Sequence, residues 1–125
     1  MFRVINGKNS GFLGNSKIYI GRANKSYLLK GSVLQNRFVI GRDGNREEVV
    51  AKYRQWLWQE VQKRGEVFDE LVRIAERVKK GETVQLACWC KPLKCHGDVV
   101  KSDAVEGFQL DLSEIFDTIS AFVIF

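Results

Sequence analysis

Proline is nearly missing from this chain: among 125 residues only Pro92 is one, and His96 is the sole histidine. A disordered or linker-rich chain would hold more proline and less than the 45% apolar residues found here, so the composition describes a globular domain. Cysteine is sparse and odd in number. Cys88, Cys90 and Cys95 are too few for a secreted disulfide scaffold, and Cys88 and Cys90, one residue apart, are poorly placed to bridge each other. Reduced thiols in a cytoplasm are the expectation. No apolar run is long enough to cross a bilayer, and the opening stretch Met1 to Gly7 is too short and polar for a signal peptide, so no membrane partner is expected.

Charge of one sign is missing from each end. Residues 1–42 contain Arg3, Lys8, Lys17, Arg22, Lys25, Lys30, Arg37 and Arg42 but no acid, whereas residues 102–125 contain Asp103, Glu106, Asp111, Glu114 and Asp117 but no base. The net charge of +5 is therefore unevenly spread. A basic opening third attracts phosphates, on a small molecule or on a nucleic acid, although charge of this kind also serves solubility.

Periodicity then divides the chain. Phe2–Ile5 and Lys17–Ile20 have β character, separated by a Gly/Asn/Ser-rich loop from Asn6 to Ser16. Arg22–Asn36 lacks a clean period and reads as a long loop; Phe38–Ile40 reads as a short strand edge before the turn Gly41–Gly44. Asn45 caps a helix with Glu47 and Glu48 in its first turn, and Val49, Tyr53, Trp56, Leu57 and Val61 form its apolar face. A second helix spans about Glu66 to Lys80, with Gly81 as its stop. Thr83–Cys88 is the clearest strand, and a helix is expected from about Gly97 to Glu106. In the tail, a short amphipathic helix near Leu112–Ile119 precedes the apolar end Ala121–Phe125, either a last strand or a homodimer contact. This order predicts one α/β domain over 1–125, a small layered structure with a mostly parallel sheet flanked by helices. Ligands of such sheets gather at the carboxyl ends of the strands.

Chemistry concentrates in Cys88–Asp98, which holds all three cysteines and the histidine. Three readings stay open. Cys95, at a helix start and near Lys91, Lys94 and His96, has the setting of a reactive thiolate, with His96 as acid or base and Asp98 as its orienter or as a cap; Gly97 would let backbone approach a ligand. Alternatively Cys88, Cys90, Cys95 and His96 make a Cys₃His set for zinc, although their spacing is unlike the usual knuckles. Or the cysteines are inert buried hydrophobes. A second candidate site is Tyr19-Ile20-Gly21-Arg22 at a strand end, with Asn36, Arg42 and Arg46 adding polar and cationic groups before a helix start. Trp58 and Tyr27 could stack on bases, though core or interface packing suits Trp58 better.

Taken in order, Tyr19-Ile20-Gly21-Arg22, Asn36-x-Phe38, Gly41-x-Asp43-Gly44-x-Arg46-Glu47-Glu48 with Tyr53 and Leu57, Cys88-Trp89-Cys90 and Cys95-His96-Gly97-Asp98 resemble domain-of-unknown-function family 4326 of bacteria and their phages. The resemblance covers about residues 4–101 and leaves 102–125 as an extension. It implies a compact α/β domain and a common site joining Gly21 and Arg22 to Cys95–Asp98; it implies no reaction, and a host cytoplasm if the protein is phage-encoded. Arg37 and Lys94 stand where the family pattern usually has proline. The leading expectation is a site for a phosphate-bearing small molecule such as a nucleotide, enzymatic or not. Arg22, Arg42 and Arg46 would take the anion, and Cys95, His96 and Asp98 would supply polar or catalytic groups. A nucleic-acid-binding accessory protein and a zinc-held interaction module are the alternatives.

Overall fold

The computed structural model describes residues 1–107, so both tail elements read from the sequence, with any dimer contact they would make, lie outside the described residues. Strand β1 (Phe2–Asn6) is followed by a single helical turn α1 (Gly7–Ser10) and strand β2 (Lys17–Tyr19). Helices α2 (Arg46–Lys63) and α3 (Glu66–Lys79) lead to strand β3 (Val84–Cys88). A short helix α4 (His96–Val99) then runs into a π-helical stretch, Val100–Glu106. The three strands form one parallel sheet in the order β1-β3-β2. Phe2 pairs with Val84 and Asn6 with Cys88 on one side of β3, and Lys17 with Gln85 and Tyr19 with Ala87 on the other. The fold is the small α/β domain expected.

Alternation along the strands separates two cores. Phe2, Val4, Ile18, Ile20, Val84, Leu86 and Cys88 turn to one face, where Val50, Tyr53 and Leu57 of α2 and Phe68, Leu71 and Ile74 of α3 complete the main core. Ile5, Tyr19 and Ala87 turn to the other face and meet Phe12, Leu29 and Trp89, which come from loops. The helices thus cover one face of the sheet, and loop aromatics cover the other. β3, paired on both edges and covered on both faces, is nearly continuously buried, as a central parallel strand requires.

The helices begin and end where their local chemistry dictates. Asn45 Oδ1 accepts the Glu48 N–H at 2.9 Å while Glu48 Oε1 accepts the Asn45 N–H at 3.1 Å, a reciprocal cap that satisfies two otherwise orphaned donors. Gly81, at φ +81°, ends the α3 segment by donating to the Val78 carbonyl. Phe38–Ile40 is not a strand. The Val39 N–H donates to Asp43 Oδ2 at 2.7 Å, and the Phe38 carbonyl accepts from Arg22 at 3.0 Å. Side chains have taken the backbone groups that a ladder would need. The loop 22–36 holds one antiparallel bridge, Asn24 with Leu29, and returns to the core at Leu34, whose carbonyl accepts from the Tyr53 hydroxyl at 2.7 Å.

Gly97 explains how closely α4 sits on the sheet. A Cβ there would stand 2.8 Å from Val4 Cγ1 and 2.9 Å from Ile20 Cδ1. Its smallness serves packing of the helix on the sheet, where the sequence had suggested approach to a ligand. Gly97→Ala is expected to destabilise the fold by about 1–3 kcal/mol through overpacking. Urea unfolding checks this, and an unchanged midpoint would contradict the packing.

Candidate functional site

At the carboxyl ends of the strands, side chains reach across to hold neighbouring backbone. Asn6, last residue of β1, donates its amide to the carbonyls of Trp89 (3.2 Å) and Lys91 (2.8 Å), fixing the chain as it leaves β3. Tyr19, last residue of β2, accepts from Trp89 Nε1 at 2.7 Å and donates to the Arg22 carbonyl at 2.5 Å. His96 Nε2 lies 2.7 Å from the Ile20 carbonyl. A carbonyl only accepts, so Nε2 carries the proton and Nδ1 carries the lone pair.

These ties enclose a cleft of about 430 Å³. Its walls combine Gly21, Arg22 and Asn24 after β2, Asn36 and Phe38–Ile40 from the long loop, Arg46, Val49 and Val50 of α2, and Trp89, Cys90, Lys94, Cys95 and His96 after β3. Arg22, Asn36, Arg46, Gly21, Cys95 and His96, singled out from sequence, therefore share one cleft. Tyr19, Gly97 and Asp98 support it from behind without lining it. Arg42 stands apart: its guanidinium pairs with Asp43 at 2.9 Å and donates to the Arg37 carbonyl at 3.2 Å, with the side chain 68% exposed.

Each cation in the cleft is anchored. Arg22 donates through Nε to the Asn36 carbonyl (2.9 Å) and through Nη2 to the Phe38 carbonyl (3.0 Å), leaving Nη1 without a hydrogen bond of this kind. Arg46 Nη1 donates to the Lys94 carbonyl at 3.0 Å. The ammonium of Lys94 lies 3.7 Å from Glu47, a carboxylate far up the chain in sequence but beside it in the fold. The Asp98 carboxylate is spent on structure: Oδ2 accepts the Cys95 N–H at 3.1 Å and Oδ1 pairs with Lys91.

The thiols divide differently from what spacing suggests. Cys88 and Cys95 are sealed, with Sγ atoms 3.3 Å apart, and Cys95 also accepts the Gly97 N–H at 3.3 Å. Contact with the Cys88 and Cys90 sulfurs, together with burial, pushes the Cys95 thiol up. Cys90 is only half-buried and is lowered to about 6, first by the hydrogen bond from Cys95 and then by Arg46 and Arg22. Cys88 is lowered too, to about 7, but is 1% exposed, so the accessible thiolate expected at Cys95 falls to Cys90, which sequence reasoning considered as a metal ligand or an inert thiol. Its place beyond the end of β3, where alternation into the core stops, was the available signal. Trp89 and Lys94 were likewise not singled out as site residues. His96, 7% exposed, is held neutral because burial pushes its pKa down, reinforced by Arg22. Among the described residues, no three His, Cys, Asp or Glu side chains are grouped so as to hold a metal ion, and no helix is long and apolar enough to cross a membrane.

Trp58, 45% exposed, lies on α2 outside the cleft, in an apolar groove with Val61, Val99 and Ala104. Tyr27 packs its ring edge-on against Trp89 at 5.0 Å and Phe12 at 5.4 Å.

A parallel three-stranded α/β domain with a cleft of mixed lining across its strand ends is the class that fold and geometry define. The chain belongs to the family described as Domain of unknown function (DUF4326), whose model matches residues 5–106. No curated protein and no solved structure matches it.

The neutral histidine has a measurable consequence. An unfolded chain takes up a proton on His96 at about its ordinary value of 6.5, whereas the folded chain resists until lower pH. The unfolded state then binds more protons, so this contribution is complete above that value and is lost as pH falls below it. Melting temperatures from about pH 7.5 to about 5.5 are expected to decline, and His96→Gln, whose amide can still donate to Ile20, is expected to flatten the decline. An equal slope in both chains would contradict a neutral buried ring.

Proposed function

We propose that the cleft binds a phosphate-bearing small molecule, a nucleotide or a derivative of one. The observation that carries this reading is the convergence of Arg22, Arg46 and Lys94, from three separate parts of the chain, on the cleft that also contains Cys90 and His96. Guanidinium groups already fixed by backbone carbonyls lose little rotamer freedom when an anion arrives, and Arg22 retains an unused Nη1. Phe38, Val39, Ile40 and Trp89 give the same cleft an apolar side suited to an uncharged ring. Phosphate on the cationic side and a base on the apolar side is the ligand that uses both.

Adenosine monophosphate, inorganic phosphate and adenosine are suitable probes in thermal unfolding. A ligand that binds only the folded chain stabilises it by about 2.7 kcal/mol at a hundredfold excess over Kd. The expected result is a saturable rise in melting temperature with the nucleotide, smaller with phosphate and smallest with adenosine, and lost in Arg46→Ala and Lys94→Ala. No shift with either phosphate compound up to about 1 mM, the upper end of ordinary substrate affinities, would overturn the reading. So would an unchanged shift in both variants. Affinity for an oligonucleotide that falls steeply with salt, without saturable nucleotide binding, would instead assign the basic surface to nucleic acid.

A further inference from the structure

Cys90 and Cys95 line the cleft, Cys88 lies behind Cys95, and the surroundings of these three free thiols make them unequal. Cys88 is 1% exposed and Cys95 2%, both within the main core, whereas Cys90 is half-buried and is the more accessible of the two thiols that line the cleft. Cys95 lies 3.3 Å from Cys88, and both neighbouring sulfurs together with burial push its thiol up. Cys90 has further partners that Cys88 lacks. Arg46, from the first turn of α2, and Arg22, just beyond β2, line the same cleft as Cys90, and their positive charges favour its thiolate. The nearby carboxylate Asp98 is occupied by Lys91 and the Cys95 N–H.

We propose that Cys90 is the nucleophile of this cleft, a thiolate that forms a covalent adduct with a soft electrophilic carbon carried by an anionic small molecule, while Cys88 and Cys95 remain unreactive. In the step, Cys90 Sγ donates an electron pair to the carbon. An S–C bond forms, the bond between that carbon and its leaving group breaks, and the leaving group departs with the bonding pair. No oxidant or reductant is consumed. The lowering of Cys90 to about 6 agrees with this geometry and leaves the group largely ionised at neutral pH. The anionic character of the reacting molecule rests on the function proposed above; the reactivity of Cys90 does not.

Alkylation of the whole folded chain, mapped by peptide mass spectrometry over a pH series, separates the two. With neutral iodoacetamide, Cys90 is expected to be modified first, with a rate half-maximal near pH 6. At pH 6.5 it should react about fivefold faster than glutathione, the gain in thiolate fraction being partly offset by the lower nucleophilicity of a more acidic thiol. Cys90→Ser should leave the folded chain essentially unlabelled, and Arg46→Lys, which keeps the charge but loses the planar fork, should move the half-point upward. Labelling of Cys95 or Cys88 before Cys90, or a Cys90 no faster than glutathione, would overturn the proposal. Negatively charged iodoacetate tests the other reading: its rate relative to iodoacetamide should be higher at Cys90 than at glutathione. A fast Cys90 without that preference would sustain the nucleophile and overturn its anionic partner.

Discussion

The hydrogen bond from His96 Nε2 to the Ile20 carbonyl joins residues 76 apart in sequence and sets where everything else in the cleft can stand. Ile20 is the first residue beyond β2, and its N–H still donates to Ala87 of the central strand. Its carbonyl has left the ladder and would be a buried acceptor without a partner, a loss worth about 1–3 kcal/mol. The imidazole fills that need whenever Nε2 is protonated, and burial favours the neutral ring with its one proton there. The same bond brings α4 against the strand ends, where Gly97 leaves room for Val4 and Ile20.

A common device runs through the rest of the site. Backbone carbonyls released at strand ends and in loops are collected by long polar side chains: Asn6 takes two from the Trp89–Lys91 turn, Arg22 takes Asn36 and Phe38, and Arg46 takes Lys94. Buried or half-buried backbone acceptors must be satisfied, and guanidinium and amide groups do this with more than one donor each. The consequence is electrostatic. Arginines recruited to hold loops also bring fixed positive charge to a concave surface, and after Cys95 they are what lowers Cys90. Structure and chemistry here have one origin.

Much of this was legible in the sequence. Asn45 with Glu48, the apolar spacing through Tyr53 and Leu57, and the β-branched run into Cys88 encode their elements locally, and each forms as read. The meeting of Arg22 with Cys95 and His96 is what the family resemblance implied, and it agrees with the rule that parallel strands gather ligands at one end. What escaped were effects of partners distant in sequence. Phe38–Ile40 is apolar enough for a strand, yet Arg22 and Asp43 claim its backbone. Gly97 resembles a ligand-approach glycine until Val4 is set opposite it. Cys95 at a helix start looks acidic, but two neighbouring sulfurs reverse the expectation and pass the charge to Cys90. Arg42 is as basic as Arg46, and only the turn geometry directs it to Asp43 and away from the cleft.

His96 is the only histidine in the chain, so its ring nitrogens can be observed without assignment ambiguity. A two-bond ¹H–¹⁵N correlation spectrum of the imidazole at neutral pH reads which nitrogen holds the proton. The arrangement described here requires a neutral ring with the proton on Nε2 and a bare Nδ1. A ring protonated on Nδ1 alone would mean that the bond to Ile20 is not made and that the cleft built around it would have to be redrawn, and a doubly protonated imidazolium would contradict the neutral buried ring.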